Sequence, residues 1–339
     1  MPELAVEVTR GPLVESRHRV SLAVVDGTGR DVLRAGDAEA LVFPRSAVKV
    51  FQALPLVESG TADRFGFTEG DLSLACASHS GEAGHVERVG AILARAGLGE
   101  GDLECGCHWP FDASVARDLA RSGETPTQLH NNCSGKHAGF LCTAVHLGED
   151  TTRYVTPGHA VQRRVRAVLA GLVGLPEDAL PMGIDGCSIP TFAAPLRGFA
   201  AGFAALASGQ GVAPERAAAG QRLMDACMAE PWMMSGTGRA CLRLMETAPG
   251  RVFAKTGAEG VFCGAVPELG VGFALKAEDG TTRAAEAAVA AILARLFETE
   301  DPALSERYGE QARPALRNWE GVEVGGLRVV GLGSGAAAI

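Results

Sequence analysis

The sequence predicts an α+β fold, with one antiparallel sheet built from both chain ends and a mostly helical lobe in the middle. Three observations predict it. β-rich runs around a turn lie near the N-terminus, helical spacing of apolar residues dominates from about 68 to 246, and short β-rich runs return after Pro249. Strands at opposite ends of a chain are most simply buried together in one sheet, with the intervening helices as a second lobe.

The elements follow in order. Val20-Ser21-Leu22-Ala23-Val24-Val25, then Asp26-Gly27-Thr28-Gly29, then Asp31-Val32-Leu33-Arg34-Ala35-Gly36, read as a hairpin around an Asp-Gly turn. From 46 to about 58 the pattern is helical, and Pro55 is expected to kink or end that helix. The clearest helices of the middle run near 85–96, 138–146, 160–173, 193–208 and 217–230, and Thr156-Pro157-Gly158-His159 opens the third. After Pro249, three short strands near 251–255, 260–266 and 271–276 are joined by turn residues, and an alanine-rich helix follows near 283–297. With no internal repeat or low-complexity linker, the expectation is a single catalytic domain, 1–339, of two lobes. The sheet lobe takes about 1–67 plus 247–339 and the helical lobe about 68–246.

Bulk properties narrow the function. The 339 residues are 47% hydrophobic and 21% charged, as in ordinary soluble proteins. A net charge of −9 without a Lys or Arg run makes nucleic acid and anionic membranes poor partners. Met1-Pro2-Glu3-Leu4-Ala5 lacks the character of a signal peptide, and apolar runs are broken well short of a membrane span, so a cytoplasmic location is expected. Of nine cysteines, Cys76, Cys142, Cys227, Cys241 and Cys263 have apolar surroundings and read as buried thiols. Cys105, Cys107, Cys133 and Cys187 have polar or glycine-rich neighbours.

Several segments could carry chemistry. Ser46 and Lys49 are three residues apart, which on a helix puts hydroxyl and amine on one face. A serine needs a base to become a nucleophile, and a lysine with a lowered pKa can be one. Ser78-His79-Ser80-Gly81-Glu82 follows an apolar run, with Ser80 a possible helix cap. Lys255-Thr256-Gly257 ends an expected strand. The order S-x-x-K, middle serine, K-T-G is that of serine β-lactamases and penicillin-binding proteins. The middle motif departs from theirs, being Ser-His-Ser where they have Ser-Asp-Asn. His130 to Gly139 gathers two histidines, two amides, a thiol and a lysine in ten residues, and Gly183 to Pro190 puts Asp185 and Cys187 in a glycine-rich turn. Ser235-Gly236-Thr237-Gly238-Arg239 could offer backbone N–H groups to an anion.

Taken together, Arg45 to Lys49, Ser78 to Glu82, Asn132-Cys133-Ser134-Gly135-Lys136-His137 and Gly183 to Pro190 resemble the signatures of the Rhizobium etli-type L-asparaginases, the asparaginase II family or class 3. The resemblance implies a serine β-lactamase-like fold, hydrolysis of L-asparagine to L-aspartate and ammonia, and a homodimer. It implies two Ser–Lys pairs, Ser46 with Lys49 and Ser78 with Lys255. It also implies zinc held by Cys133, Lys136 and Cys187 in a supportive role, with no organic cofactor, and substrate contacts from Arg45, His137 and Asp185. Ser46 is then expected to attack the amide, although the residues leave open which serine does so. Rival functions are a hydrolase of the β-lactamase or DD-peptidase type, a glutaminase or broader amidase, and a non-catalytic metal or amino-acid sensor.

Overall fold

The computed structural model describes residues 4–332. Eight strands form the main sheet: Leu4–Arg10 (β1), Leu13–Asp26 (β2), Asp31–Ala35 (β3), Phe253–Gly257 (β4), Val261–Val266 (β5), Val271–Ala277 (β6), Ala315–Arg317 (β7) and Glu323–Val330 (β8). Their order is β7-β8-β1-β2-β6-β5-β4, with β3 also paired to β2. The pairings β1–β8, β1–β2, β2–β6, β5–β6, β7–β8 and β2–β3 are antiparallel. Both chain ends therefore enter one sheet, as the sequence predicts. The long strand β2 is what joins them: Leu4 lies opposite Val20, and Val271 lies opposite Asp26.

The principal helices are Lys49–Glu58 (α1), Glu69–Ala75 (α2), Ala83–Arg95 (α3), Ser134–His146 (α4), Ala160–Val173 (α5), Leu196–Ser208 (α6), Pro214–Ala229 (α7), Thr282–Leu296 (α8) and Pro302–Gln311 (α9). Among the described residues, no helix is long and apolar enough to cross a membrane.

The chain forms two compact units. The first comprises Met1–Ala47, Ala194–Gly211 and Ala254–Ile339, and the second Val48–Ala193 and Val212–Phe253. Helix α6, from the middle of the sequence, belongs to the first unit because it packs on β2, β5 and β6. All six residues of β5 are buried, so both faces of the sheet are covered there, by α6 and by α8. Such a strand reads as the continuous apolar run Val-Phe-Cys-Gly-Ala-Val, without alternation.

In the second unit, α1 packs on α4, α5 and α7, and α2 packs on α4 and α7. Helix α4 is buried from Ser134 to Ala144, although its first turn carries Ser134, Lys136 and His137. Burying such groups requires partners for each of them, and these partners define the site below. Pro55 does not end α1, which runs on to Glu58. The Ser59 N–H and hydroxyl both return to the Pro55 carbonyl, at 3.2 and 2.6 Å.

Candidate functional site

The helix expected from Ser46 begins differently. Arg45–Val48 is a 3-10 turn that runs into α1 at Lys49. Arg45 has φ 51°, a left-handed backbone that costs a non-glycine residue about 1–2 kcal/mol. Such strain gathers at functional positions, and here it immediately precedes Ser46, which is half-buried. In the same unit, β4 lies against this turn. A Cβ on Gly257 would sit 2.4 Å from the Pro44 carbonyl oxygen and 3.2 Å from the Ala47 nitrogen. The glycine of Lys-Thr-Gly is thus needed for a close approach to the segment bearing Ser46. Lys255, 1% exposed, donates to the Thr256 carbonyl at 2.8 Å.

The second unit gathers the other groups. Lys49 is fully buried, and its ammonium donates to the Ala77 carbonyl, to Ser78 Oγ at 3.1 Å and to Cys133 Sγ at 3.1 Å. Ser78 is brought there by the turn that ends α2, in which Ala77 N–H donates to Leu74 O at 3.0 Å. Cys133 is placed by Asn131, whose Oδ1 accepts the Cys133 N–H at 2.8 Å. The Asn131 amide in turn donates to the Cys105 and Gly106 carbonyls, at 2.9 and 3.1 Å. Helix α4 approaches α2 so closely that a Cβ on Gly135 would meet Leu74 O at 2.3 Å.

Cys133, Lys136 and Cys187 meet in this interior. A hydrogen bond from Cys187 pulls the Cys133 thiol well below its usual range. Burial opposes that shift, and the charges of Lys136 and Lys49 reinforce it. Cys187 moves up, through the same bond to Cys133 and through burial. The two thiols are thus coupled through one hydrogen bond, which lowers Cys133 and raises Cys187. Burial alone would push Lys136 down, but Cys133, Cys187 and Asp185 together raise it. Its ammonium donates to Cys187 Sγ at 3.1 Å.

This arrangement corrects the expectation of zinc at Cys133, Lys136 and Cys187. Among the described residues, no group of three or more His, Cys, Asp or Glu could hold a metal ion.

The histidines are held by specific partners. His79 Nδ1 accepts the Gly81 N–H at 3.1 Å and Nε2 pairs with Ser134 Oγ at 2.9 Å, while that hydroxyl donates to Leu129 O at 2.9 Å. These bonds fix His79 as the Nε2–H tautomer, and burial holds its pKa well below the usual imidazole range. His137, also lowered by burial, meets the Tyr154 hydroxyl through Nδ1 at 2.7 Å. Tyr154 accepts the Glu104 N–H at 2.9 Å, so its own hydrogen goes to His137, leaving Nε2–H buried without a partner. Tyr154 was invisible to sequence reasoning; its one signal was to be one of only two tyrosines in the chain.

Other expectations resolve differently. Ser80 caps no helix; its hydroxyl donates to Ser235 O at 3.2 Å. The Thr237 N–H and hydroxyl, in the loop expected to receive an anion, go to the Glu82 carboxylate at 2.8 and 2.7 Å. Asp185 is half-buried and its Oδ1 accepts the Gly186 N–H at 2.7 Å. Cys76, Cys142, Cys227, Cys241 and Cys263 are buried, as expected.

A family model described as L-asparaginase II matches residues 6–329. No curated protein sequence matches the chain. Among solved structures, "Crystal Structure Analysis of Mglu" aligns at 17% identity over 77% of this chain and 61% of that one, with a TM-score of 0.41. "Crystal structure of Mglu in its L-glutamate binding form in the presence of 4.3M NaCl" aligns at 17% identity over 77% and 56%, with a TM-score of 0.40. The chain thus spans about 60% of the length of these structures.

Proposed function

Since the chain belongs to the L-asparaginase II family, a family of amidohydrolases, we propose that it hydrolyses the side-chain amide of L-asparagine to L-aspartate and ammonia by Ser–Lys catalysis. The observation that carries the mechanism is the contact of Lys49 Nζ with Ser78 Oγ at 3.1 Å in a fully buried setting. As an amine, Lys49 would keep two donors for Ala77 O and Cys133 Sγ and one lone pair for the Ser46 proton; the third hydrogen so gained is the one it donates to Ser78 Oγ. That state of the pair handles protons.

Ser46 is the attacking hydroxyl. It is half-buried where Ser78 is only 4% exposed, so substrate reaches it more readily. Its oxygen bonds to the amide carbon and its proton passes to Lys49. Ser78, supported by Lys255, delivers a proton to the leaving ammonia. Water then cleaves the acyl ester, releasing aspartate and restoring the serine. Asp185 pairs with the substrate ammonium, Arg45 with its α-carboxylate, and His137 offers its unpartnered Nε2–H. The order of Ser46-x-x-Lys49, Ser78 and Lys255-Thr256-Gly257 supports kinship with the serine β-lactamase fold. We extend the proposal to a cytoplasmic homodimer.

Ammonia release from L-asparagine, run beside L-glutamine and a fluorescent penicillin, tests the reading. Turnover of asparagine well above glutamine, without penicillin acylation, is expected. Acylation by penicillin with no ammonia from either amino acid would sink it. Mass spectrometry of the quenched enzyme should find the acyl adduct on Ser46; an adduct on Ser78 would exchange the two roles.

A further inference from the structure

The loop Ser235-Gly236-Thr237-Gly238-Arg239, which the sequence marked for an anion, already holds one of the chain's own. Glu82 Oε1 accepts the Thr237 N–H at 2.8 Å, and Oε2 accepts the Thr237 hydroxyl at 2.7 Å. Trp232 Nε1 reaches Thr237 Oγ1 at 3.0 Å. An indole N–H can only donate, so the threonine oxygen accepts there and its own hydrogen goes to Glu82.

Glu82 is an unusual residue for its place. It is the N-cap of α3, where Ser, Thr, Asp or Asn would normally take a helix N–H. Its side chain caps nothing in its own helix and reaches instead to a loop 155 residues away.

That contact holds the segment that begins at Ser78. Residues 78–81 are buried and have no regular secondary structure, so their polar groups need partners from elsewhere. On one side the His79 N–H donates to Asn132 O at 3.2 Å. On the other, the Ser78 N–H donates to Met234 O at 3.0 Å and the Ser80 hydroxyl to Ser235 O at 3.2 Å. The two stretches lie so close that a Cβ on Gly236, at φ 116°, would stand 2.5 Å from Ser80 Oγ and 2.7 Å from Glu82 Oε1. Of the bonds between them, those at Glu82 have a charged acceptor, and such bonds are about twice as strong as neutral ones.

We propose that Glu82 is a positioning residue: by clamping Thr237 it holds the 234–237 stretch against residues 78–82, and so keeps Ser78 Oγ on Lys49 Nζ. The inference rests on the catalytic role proposed for Ser78. It does not depend on which serine attacks, because Ser78 takes part in either order. Acting through Ser78, Glu82 governs the rate of turnover and not the affinity for substrate.

The test measures ammonia release by the full chain over a range of L-asparagine concentrations. Glu82→Gln keeps the shape but offers Thr237 one acceptor in place of two, and Thr237→Val removes the hydroxyl from the other side. Each should lower kcat about tenfold, with KM within about twofold of wild type. The double variant should be no slower than either single, because both remove the same contact. Thr237→Ser, which keeps both donors, should retain wild-type kcat. Glu87→Gln, the same loss of charge at an exposed position of α3, should leave kcat unchanged. If one single variant does not fold, the other decides against Thr237→Ser. Wild-type kcat in the singles, losses that multiply in the double, or a raised KM at unchanged kcat would overturn the proposal. Absence of ammonia release from wild type would instead remove the asparaginase reading, and this positioning role with it.

Discussion

Gly135→Ala reports directly on how the buried Lys49–Ser78 contact is positioned. In an unobstructed helix this change stabilises by about 1 kcal/mol, through backbone entropy. Here the new Cβ would stand 2.3 Å from Leu74 O, whereas ordinary contact begins at 3.4 Å, so the two helices must part by about 1.1 Å (3.4 − 2.3). Leu74 O also accepts the Ala77 N–H at 3.0 Å, in the turn that delivers Ala77 O and Ser78 to Lys49. Overpacking of this size costs about 1–3 kcal/mol, which exceeds or cancels the propensity gain. A displacement near 1 Å in a catalytic group costs about 100-fold in rate. The control is Gly90→Ala on α3, where an added Cβ meets nothing within 4 Å. Melting and ammonia release should place the variants apart: Gly90→Ala more stable and fully active, Gly135→Ala no more stable and about 100-fold slower. A Gly135→Ala enzyme that matched Gly90→Ala in both would refute the claim that the approach of α4 to α2 sets this contact.

Lys49→Met keeps the buried volume while removing the amine, and should lower asparagine turnover by about 100-fold or more; steady-state ammonia release checks it. Gly257→Ala should slow turnover at nearly unchanged protein yield, because its Cβ would collide with Pro44 O beside Ser46; the ratio of turnover to melting shift separates this from unfolding. Stability should fall as pH drops below about 6.5. His79 and His137 are held neutral by burial, so the unfolded chain binds protons that the fold does not. The slope is about 1.4 kcal/mol per pH unit for each histidine until its folded pKa is reached. Urea midpoints flat between pH 7 and 5.5 would contradict it. Asp71→Asn should cost about 2 kcal/mol. Burial favours its neutral form, but the Thr68 N–H and Arg95 hold it ionised, with Arg95 at 2.8 Å and Arg88 at 3.2 Å. Those arginines are about a third exposed, which lets water soften the loss. Denaturant titration measures it.

Helix α5 was legible residue by residue, because its 3.6-residue spacing of Val161, Val165, Val168, Leu169 and Leu172 is a local property. The start of α1 was not, since the left-handed backbone at Arg45 and the 3-10 turn lie against Gly257, more than 200 residues on in the chain. The Cys133 to His137 block announced itself by composition, yet what it contacts did not. Asn131 looked chemical and proved to be a clamp on two carbonyls and the Cys133 N–H, while Tyr154 looked like nothing and holds His137. The zinc expectation came from resemblance. It failed because, among the described residues, no group of three or more His, Cys, Asp or Glu comes together that could hold the ion.

The sequence by itself determined the fold class, the pairing of both chain ends in one sheet, and the residue types available for amide hydrolysis, because periodicity, turn chemistry and motif order are written along the chain. Tertiary structure alone decided that Lys49 touches Ser78 and Cys133, 29 and 84 residues away, and that the Glu82 carboxylate closes on Thr237, 155 residues away. Protonation, hydrogen-bond partnership and burial are properties of a group's surroundings, and those surroundings exist only once the chain has closed around it.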